Sequence, residues 1–217
     1  MRLTDKYRPQ TLADVIGQPR AVAQLQGIRD RVGYGGRAYW LTGPTGTGKT
    51  TLARIIARDM ADPSNVTEFD SGESVTVDDV RAIGDAIRQT GALGVKSGRV
   101  WIINEAHGMR GPVIRMLLGL LESLPDWACV VFTTTWDGEG ELSDSVDSRP
   151  LTDRCSRVKL TNQGVAKPAA EYVRAIAKAE GLDGQPPEKY LRLADRCKNS
   201  LRAMLQQIED GAMLVDA

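Results

Sequence analysis

Cysteine and histidine are scarce in this chain of 217 residues. Its three cysteines, Cys129, Cys155 and Cys197, lie far apart, no CxxC pair occurs, and His107 is the only histidine. These absences exclude a disulfide framework and a zinc site built from cysteine and histidine, and they fit a reducing cytosol. We therefore expect a cytoplasmic protein.

Long apolar runs are also absent. No stretch approaches the roughly 20 residues that a membrane span requires, and the start of the chain, residues 1–6, lacks the apolar region of a secretory signal. The 22 glycines follow no fixed period, and low-complexity tracts are missing, which excludes collagen-like and disordered classes. We expect a globular chain with one large domain, or with a core domain and a small satellite.

The chain also has no net charge, since 28 Lys and Arg residues balance 28 Asp and Glu residues. The charge is unevenly distributed: the balance is +7 over residues 1–58, −9 over residues 59–152 and +2 over residues 153–217. Twenty of the cations are arginine, which suits bidentate recognition of phosphate or carboxylate. Charge alone does not indicate a nucleic-acid binder, because a solvated surface would show the same balance.

Short apolar, β-rich runs alternate with helical patterns up to residue 160, which predicts a parallel sheet covered by helices on both faces. The predicted strands are residues 38–42, 66–70, 99–104, 128–135 and 157–160. The predicted helices between them are residues 50–60, 77–89 and 113–121. Only helical patterns follow, at residues 165–179, 187–195 and 200–213. We expect an α/β domain over residues 1–160 and a small all-helical domain over residues 161–217.

A complete phosphate-binding motif stands between the first predicted strand and the first predicted helix. Its residues, which match GxxxxGK[ST], are Gly43, Pro44, Thr45, Gly46, Thr47, Gly48, Lys49 and Thr50. Glycines let successive backbone N–H groups converge on a phosphate at a helix N-terminus. Lys49 would bridge the β- and γ-phosphates of ATP, and Thr50 would be a Mg²⁺ ligand. We assign residues 43–50 and the following Thr51 to the nucleotide site.

A second polar motif follows the third predicted strand, where P-loop enzymes carry an aspartate that orients Mg²⁺. Here Asn104 occupies that position, and it would reach the metal only through a water, so we expect slow hydrolysis. Glu105 is a suitable general base for the attacking water. Thr135 and its neighbours, at the end of the next strand, would approach the γ-phosphate, although threonine is also an ordinary strand residue. His107 is expected to pack or to hydrogen-bond.

Three further segments extend the pattern to both ends of the chain. Residues 6–18 read KYRPQTLADVIGQ, residues 150–155 read PLTDRC and residues 199–205 read NSLRAML. In this order around a P-loop, they resemble the AAA+ ATPases, specifically the clamp-loader family of replication factor C small subunits and the bacterial gamma/tau subunit. The resemblance implies an AAA+ core with a five-stranded parallel sheet, followed by a helical lid, with ATP in the crevice between them.

The resemblance also implies roles for single residues. Those that would wrap the adenine base are Tyr7, Arg8, Pro9, Val15, Ile16 and Gly17. Thr135 takes the place of sensor 1, and Arg202, in the sensor 2 helix, would reach the γ-phosphate. Arg154, in a segment similar to the SRC box with Asp153 in place of Ser, would reach the ATP of a neighbouring subunit. Alone, both arginines would be interpreted as surface residues.

The implied function is that of a clamp-loader-like ATPase in DNA replication. Its partners would be other AAA+ subunits in a ring, DNA and a sliding clamp, with no membrane involved. DNA contacts are indicated only weakly, at Arg110 and Arg115, for which a solvated helix surface is an equal alternative. Two other classes stay open: a slow or non-hydrolysing ATP-gated regulator or adaptor, and a stand-alone AAA+ protein of phage or mobile-element type or a helicase loader.

Family members continue beyond the sensor 2 helix into a collar domain that holds a pentamer together. The sequence therefore fits either a piece of a longer protein or a compact relative without a collar. Residues 137–148 carry five acidic residues and no cation, and we expect them to form a solvated loop.

Overall fold

A computed structural model describes residues 1–89, 94–135 and 149–214. In these ranges the strands are β1 (Arg37–Thr42), β2 (Val66–Phe69), β3 (Arg99–Ile103), β4 (Ala128–Thr134) and β5 (Cys155–Lys159). The helices are α1 (Leu3–Lys6), α2 (Pro19–Val32), α3 (Lys49–Met60), α4 (Val77–Arg88), α5 (Gly111–Leu121), α6 (Arg149–Asp153), α7 (Ala166–Ala179), α8 (Pro187–Arg196) and α9 (Leu201–Glu209). The acidic segment at residues 137–148 lies outside the described residues.

The strands form one parallel sheet in the order β2-β3-β4-β1-β5. Every residue of the central strand β4 is buried, as is β1 after its first residue, because parallel strands inside such a sheet are covered on both faces. The edge strands β2 and β5 are mostly part-exposed. The predicted α/β fold with a five-stranded parallel sheet is confirmed, and the carboxyl ends of its strands meet at one edge.

The chain divides into two compact units. Residues Ala23–Gly43 and Lys49–Lys159 form the unit that holds the sheet. Its core includes Trp40 and Phe132, whose ring centroids lie 5.4 Å apart, and Leu117 of α5. Burial of such large apolar side chains is the main favourable contribution to folding.

The other unit joins Met1–Val22 and Pro44–Gly48 to the helices that follow Leu160. Leu3 belongs to the same buried cluster as Val173, Tyr190 and Met204. Gly17 has a φ of +75°, and a Cβ there would lie 2.3 Å from a Val165 methyl, so only glycine fits this approach. The N-terminal segment thus packs with the C-terminal helices, while the domain boundary at residue 160 stays a prediction. Among the described residues, no helix combines the length and the apolar character that crossing a membrane would need.

Candidate nucleotide-binding site

The P-loop is the connection from β1, which ends at Thr42, to α3, which begins at Lys49. Gly46 has a φ of +80°, and a Cβ there would lie 2.0 Å from Ser200 Oγ, so this position also requires glycine. Thr47 Oγ1 donates to the Pro44 carbonyl at 2.8 Å. Because Ser200 is the N-cap of α9, the loop lies close to the start of the helix that carries Arg202.

The Lys49 ammonium is buried, with only 6% of the residue exposed. Its Nζ donates to the Gly43 carbonyl at 2.9 Å. A buried cation in the first turn of a helix adds to the positive end of the helix dipole, and both favour an anionic ligand. Lys49 is therefore poised to exchange part of its protein contact for a phosphate oxygen.

Asn104, directly after β3, is the centre of a hydrogen-bond network at the carboxyl edge of the sheet. Its Oδ1 accepts from Thr50 Oγ1 and Thr133 Oγ1, both at 3.0 Å. Its Nδ2 donates to Glu68 Oε1 at 2.9 Å and to the Phe69 carbonyl at 3.3 Å. Residues of three strands and of the P-loop helix thus meet at one buried amide. The bond between Thr50 and Asn104 joins the two residues predicted on the metal side of the site.

Glu105 has a left-handed backbone, with φ 45° and ψ 51°. Non-glycine residues in this region are strained, and they concentrate at functional sites. The Glu105 side chain is 46% exposed, and its Oε2 lies 3.5 Å from His107 Nδ1. His107 Nδ1 in turn lies 3.1 Å from Thr134 Oγ1. The carboxylate predicted as general base is therefore accessible to water, and His107 has the hydrogen-bonding position expected for it.

The opening segment lines a cleft of about 330 Å³. Its lining residues are Tyr7, Arg8, Pro9, Gln10, Asp14, Ile16 and Tyr172. Val15 and Gly17 flank Ile16 in the chain but are not part of this lining. A partly apolar cleft of this volume can accept a nucleobase.

Tyr172 is a cleft residue that the sequence reasoning missed. It lies on α7, and its hydroxyl donates to the Tyr7 carbonyl at 3.0 Å. An aromatic residue on a helix suggests core packing, yet Tyr172 is part-buried beside the fully buried Val173. In the sequence, only its position beside the apolar face of this helix could have drawn attention to it.

The pKa of the Asp14 carboxyl, at the same cleft, is lowered. The hydroxyl of Thr11 donates to it first, and the backbone N–H groups of Thr11 and Gln10 add to the effect. Asp14 thus stays ionised and fixes the turn that positions the segment.

The other predicted arginines, Arg110, Arg115, Arg154 and Arg202, are not among the residues that line this cleft. Arg154 precedes β5, and its Nε donates to Glu122 Oε1 at 3.0 Å while its Nη1 donates to the Pro150 carbonyl at 2.9 Å. Arg202 is exposed in the first turn of α9. Arg110 is the N-cap residue of α5, and Arg115 is exposed on that helix.

Thr135, predicted in the place of sensor 1, follows β4, and its carbonyl accepts from Thr134 Oγ1 at 3.3 Å.

The oxygen atoms near Asn104 suit a Mg²⁺ ion that is bound together with a nucleotide. They suit a metal ion held by protein ligands alone less well. Thr50 Oγ1 and Asn104 Oδ1 are neighbouring oxygens, and Mg²⁺ prefers oxygen ligands. In the described ranges, no group of three His, Cys, Asp or Glu side chains could hold a metal. This composition suits an ion that is bound mainly by nucleotide phosphates and waters.

Residues 39–160 match the family model described as "ATPase family associated with various cellular activities (AAA)". DNA polymerase III subunit gamma/tau of Mycobacterium tuberculosis is 33% identical over 159 residues, which are 62% of this chain and 27% of that protein. Replication factor C large subunit of Methanocella arvoryzae is 25% identical over 214 residues, which are 96% of this chain and 36% of that protein.

The solved structure of the Holliday junction branch migration motor RuvB of Thermotoga maritima has the same fold. It superposes with a TM-score of 0.69 at 23% identity, covering 94% of this chain and 64% of that one. The chain thus spans roughly a quarter to a third of the two curated relatives. The relatives confirm the resemblance to clamp-loader AAA+ proteins, and since the family model covers more than half of the chain, the protein belongs to the AAA family of ATPases.

Proposed function

We propose that the protein is an ATPase that works in DNA replication as a clamp-loader-like subunit. The observation that carries the proposal is the P-loop between β1 and α3, with the buried Lys49 ammonium at the start of α3. The two curated relatives support it, because they are named as a DNA polymerase subunit and a replication factor subunit. Membership of an ATPase family agrees with ATP hydrolysis as the reaction.

ATP would be bound through both of its ends. The backbone N–H groups of the P-loop and the first turn of α3 suit the β-phosphate, while Lys49 supplies positive charge to the β- and γ-phosphates. Thr50 and Thr51 follow directly in α3. The cleft with Tyr7 and Tyr172 offers aromatic and apolar surface to the adenine base.

Hydrolysis would use the residues around the ends of β3 and β4. Mg²⁺ bound with the nucleotide would neutralise charge on its phosphates, and Thr50 and, through a water, Asn104 would hold it. Glu105 would accept a proton from the attacking water. Thr135 and Arg202 would contact the γ-phosphate, and Arg154 would do so from a neighbouring subunit.

The partners in this proposal are other AAA+ subunits in a ring, DNA and a sliding clamp, in the cytoplasm. Arg110 and Arg115 would contact the DNA phosphates, since both are exposed, Arg110 as the N-cap residue of α5 and Arg115 in its first half. Such contacts position a duplex without reading its sequence.

A second candidate function is an ATP-gated regulator that binds ATP but scarcely hydrolyses it. Asn104 favours this candidate, because a neutral amide adds no negative charge beside the metal. Nucleotide state would then control the affinity for a partner.

Steady-state ATPase assays with and without primed DNA separate the two functions. For the replication ATPase we expect slow turnover that primed DNA stimulates. Glu105→Gln should lower the turnover by about 100-fold or more, since general bases contribute at least that much, and should leave ATP affinity unchanged. Glu188→Gln, an exposed carboxylate on α8, is the matched control and should retain full turnover.

The same assays can also contradict the ATPase proposal. If the wild-type protein binds ATP but hydrolyses it no faster than Glu105→Gln, even with primed DNA, the protein is a regulator and the ATPase proposal is wrong.

A further inference from the structure

The orientation of the Asn104 amide is fixed by its neighbours. The Glu68 carboxylate and the Phe69 carbonyl can only accept hydrogen bonds, so the end of the amide that faces them must be Nδ2. The other end, Oδ1, therefore faces the Thr50 and Thr133 hydroxyls. Hydroxyl groups can donate or accept, so they accommodate either end of an amide and impose no orientation themselves.

Glu68 is itself held in place. Arg54 binds it through two parallel hydrogen bonds, from Nε to Oε2 at 2.8 Å and from Nη2 to Oε1 at 3.0 Å. The Glu68 side chain is 22% exposed, and Asn104 as a residue only 7%. A bidentate arginine–carboxylate pair is geometrically specific, so the acceptor that orients Asn104 has little freedom to move.

We propose that Glu68 is a positioning residue for the metal side of the nucleotide site, because it turns the Asn104 oxygen towards Thr50. This inference rests on the proposed function, in which Thr50 meets Mg²⁺ and ATP. Without the Glu68 carboxylate, only the longer bond to the Phe69 carbonyl holds Nδ2 in place. The amide is then less firmly oriented and can turn its N–H groups towards Thr50, where they would repel a cation. Glu68 also determines which residue position 104 tolerates, since an aspartate there would set two carboxylates against each other in place of a hydrogen bond.

The proposal predicts that Glu68→Gln has opposite effects in two backgrounds. In the native chain it removes the charge that pairs with Arg54 and weakens the bond from Asn104. In the Asn104→Asp background it removes a repulsion and supplies an amide that can donate to the new carboxylate. If Glu68 acted only through Arg54 and not on residue 104, the substitution would have the same effect in both backgrounds.

Thermal unfolding without nucleotide measures the coupling between residues 68 and 104 independently of ATP. Glu68→Gln should lower Tm by roughly 3 °C or more in the native background, as expected for a lost charged hydrogen bond in a chain of this size. In the Asn104→Asp background it should raise Tm. Asp85→Asn, which removes an exposed carboxylate that pairs with Arg88, is the control and should shift Tm equally in both. Equal shifts for Glu68→Gln in the two backgrounds would overturn the proposal.

ATP binding measured by calorimetry at increasing Mg²⁺ concentrations tests the effect of Glu68 on the metal side of the site. In the native background, Glu68→Gln should raise the Mg²⁺ concentration for half-saturation by about 10-fold. In the Asn104→Asp background it should not, because the two oxygens of a carboxylate are equivalent and need no orientation. A rise in both backgrounds would contradict a positioning role. If no variant and no wild-type protein binds ATP, the proposed function fails, whereas the unfolding experiment still decides whether residues 68 and 104 are coupled.

Discussion

At the scale of single residues, Lys49 is the position on which nucleotide affinity should depend most directly. Its ammonium is buried and makes a hydrogen bond to the Gly43 carbonyl. A buried cation is retained against its desolvation cost when an anionic ligand compensates it. The phosphates of ATP would provide that compensation, so the ligand and the lysine should stabilise each other.

Lys49→Ala should lower the affinity for ATP by about 10- to 100-fold, which corresponds to the loss of one or two hydrogen bonds to a charged group. Isothermal titration calorimetry with Mg²⁺ and ATP measures this directly. Lys189→Ala, an exposed lysine on α8, is the control and should bind like the wild type. Equal affinities for Lys49→Ala and the control would contradict the P-loop interpretation.

At the scale of secondary-structure elements, the opening segment is attached to the end of α7 through Glu180. Lys6 Nζ donates to Glu180 Oε1 at 2.6 Å, and the Tyr7 hydroxyl donates to the same oxygen. The Lys6 bond, and then the Tyr7 bond, lower the pKa of Glu180 below its usual value of 4.5. A lowered carboxyl pKa means that this attachment stabilises the fold above pH 4.5 and is lost as the pH falls through the lower folded value.

Glu180→Gln should therefore lower Tm slightly at neutral pH, by less than about 3 °C, because Lys6 is exposed and solvent screens its ion pair with the part-buried Glu180. Thermal unfolding from pH 7 to pH 3 tests the assignment. The difference between wild type and Glu180→Gln should shrink below pH 4.5, while Glu171→Gln, which removes an exposed carboxylate on the same helix, should show no such trend. A difference that does not shrink at all between pH 4.5 and pH 3 would mean that Glu180 acts without its charge.

The regular elements were largely predictable because their patterns are local. Each predicted strand and helix is present, with ends that differ by a few residues. The last helix ends at Glu209 rather than at residue 213, since Gly211 adopts a φ of +84° in the turn that follows. Strand β5 begins at Cys155 because it pairs with β1, which a single segment does not indicate. Helix α2 was not predicted, although its buried residues Ala21, Leu25 and Ile28 follow a helical spacing.

The candidate site was predictable where it is contiguous. The P-loop is one unbroken motif, and Asn104 stands directly after the third predicted strand, where P-loop enzymes carry an aspartate. The bond between Asn104 and Glu68 joins residues 36 positions apart, and Tyr172 meets Tyr7 from 165 positions away. Such contacts depend on the tertiary fold, so no local pattern could have revealed them.

At the scale of the whole molecule, Arg154 tests whether copies of this chain complete each other's sites. Within its own chain the guanidinium contacts Glu122 and the Pro150 carbonyl. The Glu122 side chain is 61% exposed, and exposed ion pairs contribute about 1 kcal/mol or less. The fold therefore holds Arg154 only weakly, and a phosphate of a neighbouring subunit could compete for it.

Arg154→Ala should leave ATP binding to the monomer unchanged but remove the part of the ATPase rate that rises with protein concentration. An arginine supplied in trans stabilises transition-state charge and contributes on the order of 10³-fold or more in related NTPases. Turnover per subunit, measured across a wide range of protein concentrations, provides the test, with the exposed Arg192→Ala on α8 as control. Assembly predicts a wild-type rate that climbs with concentration and an Arg154→Ala rate that stays flat. If turnover is independent of concentration and insensitive to Arg154→Ala, each chain hydrolyses ATP alone, because no arginine from a second copy then takes part in the reaction.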